Sequence, residues 1–433
     1  MTALSRSWLQ LNNDQRTALA AKLRQSFTQL TSNRLSLDLT RGKPAASQLT
    51  LANGLDHQID GDYTSREGTD VRNYGGLRGI IEARELGREI MDVPATNILI
   101  AGNSSLWLMH LTLETALRHG LWAGATPWQQ SGQASGSVSL ITPVPGYDRH
   151  FSLTDSHGIG MRNVGLHDDG PDMADVRKLI ASDASIKGIW CVPKYANPTG
   201  CIYSDQVVRE IAELPKVAAA KDFVVLWDNA YAVHDLVFPP PRLASLFEAA
   251  AKAGTQRHMV QFGSTSKITF AGAGISFVGS DESVLKRLEE RISLITVGFD
   301  KLNQLRHARF LGGRVEAHMQ QHAAILKPKF DLVVRKLEED LGGLGIATWT
   351  EPKGGYFVSL DVLPGLAKKI VALAKETGLA LTAAGATFPY GRDPEDRNIR
   401  IAPTFAETDA LEAAMDVLTL CVCLASLDKL NAA

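Results

Sequence analysis

The amino-acid sequence predicts an α/β fold with a mainly parallel central sheet, followed by a smaller α+β domain. Between residues 74 and 310, short apolar runs alternate with longer amphipathic segments such as residues 205–220. Repeated alternation of strand-like and helix-like segments is typical of layered α/β domains. The predicted strands of the large domain are residues 97–101, 137–142, 188–192, 223–227, 259–262 and 275–278.

The two ends of the chain are predicted to form the smaller part of the protein. Apolar residues at helical spacing predict one or two helices within residues 1–30 and a long helix over Val315–Leu341. Residues 349–360 and 398–402 have the pattern of strands, and a helix over residues 409–430 would close this domain. We therefore expect an N-terminal segment, residues 1–60, that joins the small domain, a large domain of residues 61–312, and a small C-terminal domain of residues 313–433.

One segment interrupts the large domain. Residues 124–136 (GATPWQQSGQASG) are rich in Gly, Ser and Gln, a composition that favours loops over packed elements. We expect an exposed insertion or mobile loop there.

The amino-acid composition limits the kinds of molecule that the protein is expected to bind. The 433 residues carry a net charge of −2, with no basic tract or acidic tail, so neither nucleic acid nor an anionic membrane is expected as a partner. Four cysteines without a paired metal-binding spacing indicate reduced thiols in a cytoplasmic protein and no metal site. The N-terminus lacks a signal pattern. The apolar run 417–427 is about half of the ~20 residues that a membrane span needs, so a packed helix is expected.

Two charged residues follow apolar runs in an unusual way. Lys267, in FGSTSKITFAGAG, is flanked by small hydroxyl residues, and partial burial there would lower its pKa and favour Schiff-base formation. Asp228, in FVVLWDNAY, ends an apolar strand, where a carboxylate is costly unless it has a partner such as a protonated pyridine nitrogen. Taken singly, Lys267 could be a solvated loop lysine and Asp228 a helix N-cap.

Two further segments carry suitable chemistry. Asn197, in YANPTG, could donate its side-chain amide to a phenolate oxygen, although Asn-Pro and Thr-Gly also indicate an ordinary turn. Arg400, in NIRIAP, offers the planar fork that grips a carboxylate, although a lone arginine is more often part of a surface ion pair. The order of the four segments along the chain is more specific than any one of them.

With these residues the chain resembles the fold-type I, class I/II aminotransferases from about residue 42 to residue 400. The segments DLTRGKP, RNYGGLRGI, AGNSSLWLMH and TSKITFAGAG resemble more narrowly a divergent aspartate aminotransferase subgroup close to the MocR-type aminotransferases. The resemblance implies a pyridoxal 5′-phosphate (PLP)-dependent transferase of fold type I, with its mainly parallel large domain and smaller α+β domain.

The resemblance also implies roles for the catalytic and ring-binding residues. Lys267 would form the Schiff base with PLP and later move a proton. Asp228 would hold the pyridinium, which lets the ring accept electrons. Asn197 and Tyr231 would hydrogen-bond the phenolic oxygen, and Tyr147 would stack on the ring face.

Phosphate and substrate contacts follow from the same resemblance. Gly42 would allow the substrate carboxylate to approach the backbone beside Arg400, with Asn197 nearby. Tyr74 would reach the phosphate in a neighbouring subunit, which implies a homodimer with shared active sites. The family's arginine eight residues after the lysine is replaced here by Ile275. The phosphate would therefore be bound mainly by the hydroxyl and backbone N–H groups of Asn103, Ser104, Ser105, Ser264 and Ser266, or by a basic residue that the sequence does not identify.

The expected function is ping-pong transamination between an amino acid, with aspartate favoured, and a 2-keto acid, with 2-oxoglutarate favoured. A second cation would then be needed near the substrate side chain, for which the sequence offers Lys43, Lys301 and Arg306 without selecting one. Alternatives are an aromatic or aminoadipate transaminase, a C–S lyase, and a non-catalytic MocR-like PLP sensor. The sensor is disfavoured because no basic recognition helix precedes Gly42, and a nucleotide-binding protein because no GxGxxG motif or P-loop follows a predicted strand.

Overall fold

The computed structural model describes residues 7–32, 35–132 and 138–432 of the chain. Short 3₁₀ turns cover Trp8–Gln10, Asn53–His57, Ala95–Asn97, Gln256–His258 and Pro389–Gly391. The α-helices are α1 (Asn13–Ser32), α2 (Ala46–Thr50), α3 (Ile81–Met91), α4 (Ser105–His119), α5 (Trp128–Gly132), α6 (Asp148–Ser156), α7 (Met173–Ser182), α8 (Asp205–Val217), α9 (Leu246–Ala253), α10 (Glu282–Ile292), α11 (Lys301–Leu311), α12 (Val315–Leu341), α13 (Ala367–Glu376) and α14 (Thr408–Ala432).

Within the described residues the strands form three sheets. They are β1 (Leu37–Asp38), β2 (Ile98–Ile100), β3 (Ser139–Val144), β4 (Gly160–His167), β5 (Gly170–Pro171), β6 (Ile186–Cys191), β7 (Val224–Asp228), β8 (Met259–Ser264), β9 (Ser276–Gly279), β10 (Ala347–Trp349), β11 (Val358–Val362), β12 (Leu379–Ala380) and β13 (Asn398–Ile401). The 8-stranded sheet has the order β2-β9-β8-β7-β6-β3-β4-β5, the 3-stranded sheet the order β10-β11-β13, and β1 pairs with β12.

The large sheet is mainly parallel, as predicted. Strands β4, β3, β6, β7 and β8 run parallel, whereas β9 is antiparallel to both β8 and β2. Every residue of β7 is buried, because helices cover both faces of a parallel sheet and exclude water from each strand. The α/β fold class with a mainly parallel sheet is confirmed.

Two strands of this sheet were missed. Strand β4 (GMRNVGLH) has a single buried residue, Val164, and therefore lacks the apolar run that the other strands carry. Strand β5 is only two residues long. Conversely, the predicted strand 137–142 corresponds to β3, which begins at Ser139, while residue 137 lies outside the described residues. A polar strand near the edge of a sheet carries no periodic signal that sequence patterning can detect.

The predicted insertion is only partly a loop. Residues Trp128–Gly132 form the short helix α5, and Trp128 is 2% exposed because it packs into the core beside α4. The prediction of an exposed segment is therefore wrong at Trp128. Residues 133–136 of that segment lie outside the described residues.

The two ends of the chain share one hydrophobic core. Trp8, Leu11 and Leu23 from the N-terminal region pack with residues of α12, β11 and α14. By length and composition α14 could cross a membrane, but 72% of its most apolar window is buried within the protein, as in the core helix of a folded domain. The helix is thus much longer than the apolar run 417–427, and it packs as predicted. The domain boundaries at residues 60 and 312 stay a prediction.

Candidate active site

The candidate site lies where β7 and β8 end at the same edge of the large sheet. Strand pairing places Asp228 opposite Phe262, so the segments that follow both strands begin side by side. Ligands of open α/β sheets bind at this carboxyl edge. The cavity found there is lined by Ser105, Leu106, Met109, Tyr147, Val192, Asn197, Asp228, Ala230, Tyr231, Ser264 and Lys267.

Asp228 is held from one side by a histidine that the sequence did not single out. Its Oδ2 lies 2.9 Å from His150 Nε2, and both residues are 2% exposed. His150 stacks on Trp190 at a centroid distance of 4.2 Å and meets Tyr147 edge-on at 4.9 Å. Because a carboxylate only accepts hydrogen bonds, His150 Nε2 is the protonated nitrogen of the ring and donates a hydrogen bond to Asp228.

Lys267 follows β8 in a turn, and its side chain enters the cavity. Its Nζ lies 5.1 Å from the ring centroid of Tyr231 and 5.9 Å from that of Tyr356. Burial lowers the pKa of the Lys267 ammonium, while the carboxylate of Asp228 acts in the opposite direction. Burial also raises the pKa of the Tyr231 hydroxyl well above its usual value, reinforced by Tyr147 and Asp228. A lysine with a lowered pKa is unprotonated more often at neutral pH, and the unprotonated amine is the form that attacks a carbonyl.

Arg400 joins the cavity through Asn197. Its Nη1 donates to Asn197 Oδ1 at 3.3 Å and forms an ion pair with Asp148 Oδ1 at 2.8 Å. Its guanidinium carbon lies 4.8 Å from the Phe357 ring centroid. Arg400 is 8% exposed, so the anion at Asp148 offsets the burial of its charge. Asp148 was not predicted to take part in the site.

The predicted phosphate-binding residues gather where α4 begins. Ser105 is the first residue of α4, and the Ser104 side chain makes no capping hydrogen bond there. Ser266 Oγ donates to the Asn103 carbonyl at 2.8 Å, and Ser266 N donates to Ser264 Oγ at 3.4 Å. These contacts connect the turn after β8 to the start of α4, whose free backbone N–H groups and helix dipole attract anions.

The structure shows the surroundings of three further positions that the sequence had singled out. Ile275, where the resembled family carries an arginine, is 2% exposed and belongs to the apolar core. A Cβ at Gly42 would collide with the ring of Phe357, the same ring that the Arg400 guanidinium covers. This close approach explains why position 42 is a glycine. Tyr74 is 84% exposed and is not among the residues that line the cavity of its own chain.

Two buried polar atoms of the cavity have no hydrogen-bond partner in the described part of the chain. They are Asp228 Oδ1, an acceptor, and Asn197 Nδ2, a donor. Buried polar groups without partners are uncommon and indicate a missing ligand or water. A ring with a protonated nitrogen and a phenolic oxygen supplies both counterparts, so the residues present fit PLP.

Buried histidines surround the turn that carries Lys267. Burial lowers the pKa of His234 to about 3, and it lowers the pKa of His307 and of His322 to about 4. A positive charge on a neighbouring group would act in the same direction: on His322 for His234, on Arg306 for His307, and on His318 for His322. These histidines are therefore neutral in the folded protein at neutral pH.

We expect the protein to lose stability as the pH falls below about 6.5, the ordinary histidine pKa. Below that pH the unfolded chain binds protons that the folded chain does not, and this continues down to the lowered folded pKa values. For each such histidine the free energy of unfolding should fall by about 1.4 kcal/mol per pH unit.

Thermal unfolding between pH 7.5 and 4.5, followed by circular dichroism, measures this decline. The variant His322→Gln removes one titrating group and should show a shallower decline than the parent. A midpoint that does not change between pH 7 and pH 5 would contradict the assignment of neutral buried histidines.

Comparison with known proteins places the chain in a family. Residues 11–433 match the family described as aspartate amino-transferase. The chain is also 46% identical over 430 residues to an aminotransferase of Mycolicibacterium smegmatis, covering 98% of this chain and 99% of that protein. This protein belongs to the aspartate aminotransferase family.

Structural comparison agrees with the family assignment. The crystal structure of an aspartate transaminase from Corynebacterium glutamicum superposes with a TM-score of 0.94 at 40% identity, covering 98% of this chain and 100% of that one. The α-aminoadipate aminotransferase LysN of Thermus thermophilus, with N-(5′-phosphopyridoxyl)-L-leucine bound, shares the fold with a TM-score of 0.73 over 91% of this chain and 93% of that one, at 20% identity. As a member of the aspartate aminotransferase family, this protein uses PLP as its cofactor and acts on amino acid and keto acid substrates.

Proposed function

We propose that this aminotransferase moves the amino group of aspartate to 2-oxoglutarate by a ping-pong mechanism. The observation that carries the proposal is the convergence of Lys267 and Asp228 on one buried cavity, with Asn197 and Arg400 joined at its side. The choice of aspartate is supported by the similarity to the Corynebacterium glutamicum aspartate transaminase.

In this proposal the residues of the cavity would hold the cofactor ring by its polar groups. Asp228, oriented by His150, would accept a hydrogen bond from the protonated ring nitrogen with its free Oδ1 and so keep that nitrogen charged. Asn197 donates its free Nδ2 hydrogen to the phenolic oxygen, together with the hydroxyl of Tyr231. Tyr147 would pack against the ring face. The phosphate would be bound by Asn103, Ser104, Ser105, Ser264 and Ser266 at the N-terminus of α4.

Lys267 and Arg400 act on the substrate. PLP, when bound, supplies an electron sink for the bond broken at the substrate Cα. Arg400 binds the α-carboxylate beside Gly42 and so fixes the orientation of the Cα–H bond. The amine of Lys267, with its lowered pKa, would take up that proton from Cα and pass it to the former aldehyde carbon of the cofactor. Arg400 must share its guanidinium between the substrate and Asp148, because Nη1 already contacts that carboxylate.

We further propose a homodimer in which Tyr74 reaches the phosphate site of the neighbouring copy. Tyr74, Leu294, Ile295 and Val297 are exposed by 60–84%. Gly75 N donates to the Val297 carbonyl at 3.0 Å, so these apolar side chains lie on adjoining segments. Exposed apolar patches of this kind mark interaction surfaces. Lys301, one of the three candidate substrate cations, instead donates to the carbonyls of Asn73 and Gly75 and holds this loop.

A cytoplasmic location is part of the proposal. Cys191, Cys201, Cys421 and Cys423 are all free and buried, as expected for a protein kept in a reducing compartment.

The test is a panel of amino donors and keto acceptors with the purified holoenzyme. With 2-oxoglutarate as acceptor, aspartate should give the highest kcat/KM, at least about tenfold above phenylalanine, because the side-chain carboxylate adds a charged contact that phenylalanine lacks. The kcat/KM of aspartate should also exceed that of 2-aminoadipate, because the longer side chain places its carboxylate at a different distance from Cα. Preference for phenylalanine or 2-aminoadipate would instead support an aromatic or aminoadipate transaminase. Product release from cystathionine without any acceptor would support a C–S lyase and contradict transamination.

A further inference from the structure

Side chains from separate parts of the fold grip two consecutive backbone carbonyls at the candidate lysine. The Lys267 carbonyl lies 3.2 Å from His234 Nε2 and 3.4 Å from the Tyr356 hydroxyl. The Ile268 carbonyl lies 2.7 Å from His318 Nε2 and 3.0 Å from His322 Nε2. These residues come from the loop after β7, from the turn before β11 and from α12. The backbone of the turn is thus held by four side chains.

The chemistry of the acceptors determines the protonation of these groups. A carbonyl oxygen only accepts hydrogen bonds, so His234, His318 and His322 each carry a proton on Nε2. In a neutral imidazole the other nitrogen is then an acceptor. His322 Nδ1 receives a matching donor, because Gln48 Nε2 lies 3.2 Å away.

Gln48 completes the network. Its side chain is fully buried, and its Nε2 also donates to the Tyr356 hydroxyl at 3.1 Å. Its Oε1 accepts from Ala45 N at 3.0 Å. Gln48 therefore satisfies both His322 and Tyr356 while it is tied to the segment that contains Gly42. Protonation of His322 would place two donors face to face at Gln48, consistent with the lowered pKa of His322.

The position of a lysine amine depends on the backbone from which it extends. The side chain of Lys267 has four rotatable bonds, and the turn that carries it is not part of a helix or strand whose ladder would hold it. A shift of about 1 Å in a reacting group can lower a rate by about 10²-fold. Restraining two successive peptide carbonyls limits such shifts at the Lys267 Cα.

We propose that His234, His318, His322 and Tyr356, completed by Gln48, are positioning residues that fix the Lys267 backbone and thereby aim its amine into the cavity. The inference rests on the proposed role of Lys267. It assigns to these residues no contact with substrate or cofactor: they act through the peptide of the lysine. The positioning residues lie in the loop after β7, in α2, in α12 and in the turn before β11, so four separate segments support the site.

The test compares two substitutions at one position in the holoenzyme. His322→Leu removes the donor to Ile268, whereas His322→Gln keeps a nitrogen donor at a similar distance from the backbone. We expect His322→Leu to lower kcat about tenfold with a change in KM below about twofold, because the amine is displaced while substrate contacts remain. His322→Gln should recover most of that loss.

Two further readouts separate positioning from stability. The midpoint of the pH titration of the lysine–cofactor absorbance band should shift in His322→Leu and return in His322→Gln. The rate at which the apoenzyme recovers that band on mixing with PLP should fall in parallel. His258→Leu is the matched control, since His258 is also buried and donates to a distant carbonyl, that of Phe223, at 2.7 Å. It should change unfolding temperature without moving either readout.

A second variant guards against loss of folding. Tyr356→Phe removes one hydroxyl without creating a cavity, and it should lower kcat about threefold, the effect of one hydrogen bond. If His322→Leu and Tyr356→Phe both match His258→Leu in the absorbance titration and in kcat, the network is only structural and the inference is overturned. Retained turnover in Lys267→Ala would overturn the proposed function itself, which is a different outcome.

Discussion

Lys267→Ala should abolish the absorbance band of the lysine–cofactor linkage and lower kcat/KM by about 10⁴-fold or more. Lys267 is the lysine that lines the cavity with Asp228, and burial lowers the pKa of its ammonium. The substitution removes both the amine that binds the cofactor and the group that moves the substrate proton. Steady-state kinetics with aspartate and 2-oxoglutarate, together with absorbance spectra, measure both effects.

Chemical trapping locates the linkage independently of activity. Borohydride reduction of the holoenzyme followed by peptide mass spectrometry should place the cofactor mass on the peptide that contains Lys267, and that mass should be absent in Lys267→Ala. Lys329→Met is a matched control, because Lys329 is also buried but donates to the Thr404 and Ala406 carbonyls away from the cavity. Cofactor on a different lysine, or normal turnover in Lys267→Ala, would refute the assignment.

Asp228→Asn should lower kcat by about 10²- to 10³-fold, because breaking a buried charge pair costs about 3–5 kcal/mol. The asparagine has nearly the same shape, but it cannot balance a positive charge on the ring nitrogen. The free Oδ1 of Asp228 is the atom in question, since Oδ2 already accepts from His150. Transamination rates and the absorbance spectrum of the holoenzyme report the loss.

The same region of the chain provides a control for Asp228. Asp222 lies just before β7, at the opposite end from Asp228, and pairs with Lys187 at 2.8 Å. Asp222→Asn should lower the unfolding temperature while kcat stays within about twofold of the parent. The ion pair lies at the far end of β7 and, among the residues that the structure describes, shares no hydrogen-bond partner with those that line the cavity. Equal losses in Asp228→Asn and Asp222→Asn would show that Asp228 acts only through stability.

Local sequence patterns were sufficient to predict most strands of the large sheet and several residues of the candidate site. Apolar runs of four to six residues identified the buried strands β2, β3, β6, β7, β8 and β9, because a strand covered on both faces must be apolar along its whole length. Charged residues at the end of such a strand or in the turn after it, Asp228 and Lys267, could be singled out because a charge at that place needs a special partner. The order of these segments with Asn197 and Arg400 was sufficient for the family.

Only the tertiary structure showed what surrounds these residues. His150 is 78 residues from Asp228 in the chain, and Asp148 is 252 residues from Arg400, yet each pair is in hydrogen-bond contact. The histidines of α12 lie at ordinary helical positions, and no local pattern separates them from core histidines until the turn of Lys267 packs against them. The local sequence identifies charged side chains that are costly to bury. Their hydrogen-bond and ion-pair partners come from segments far away in the chain, and only the tertiary packing brings those segments into contact.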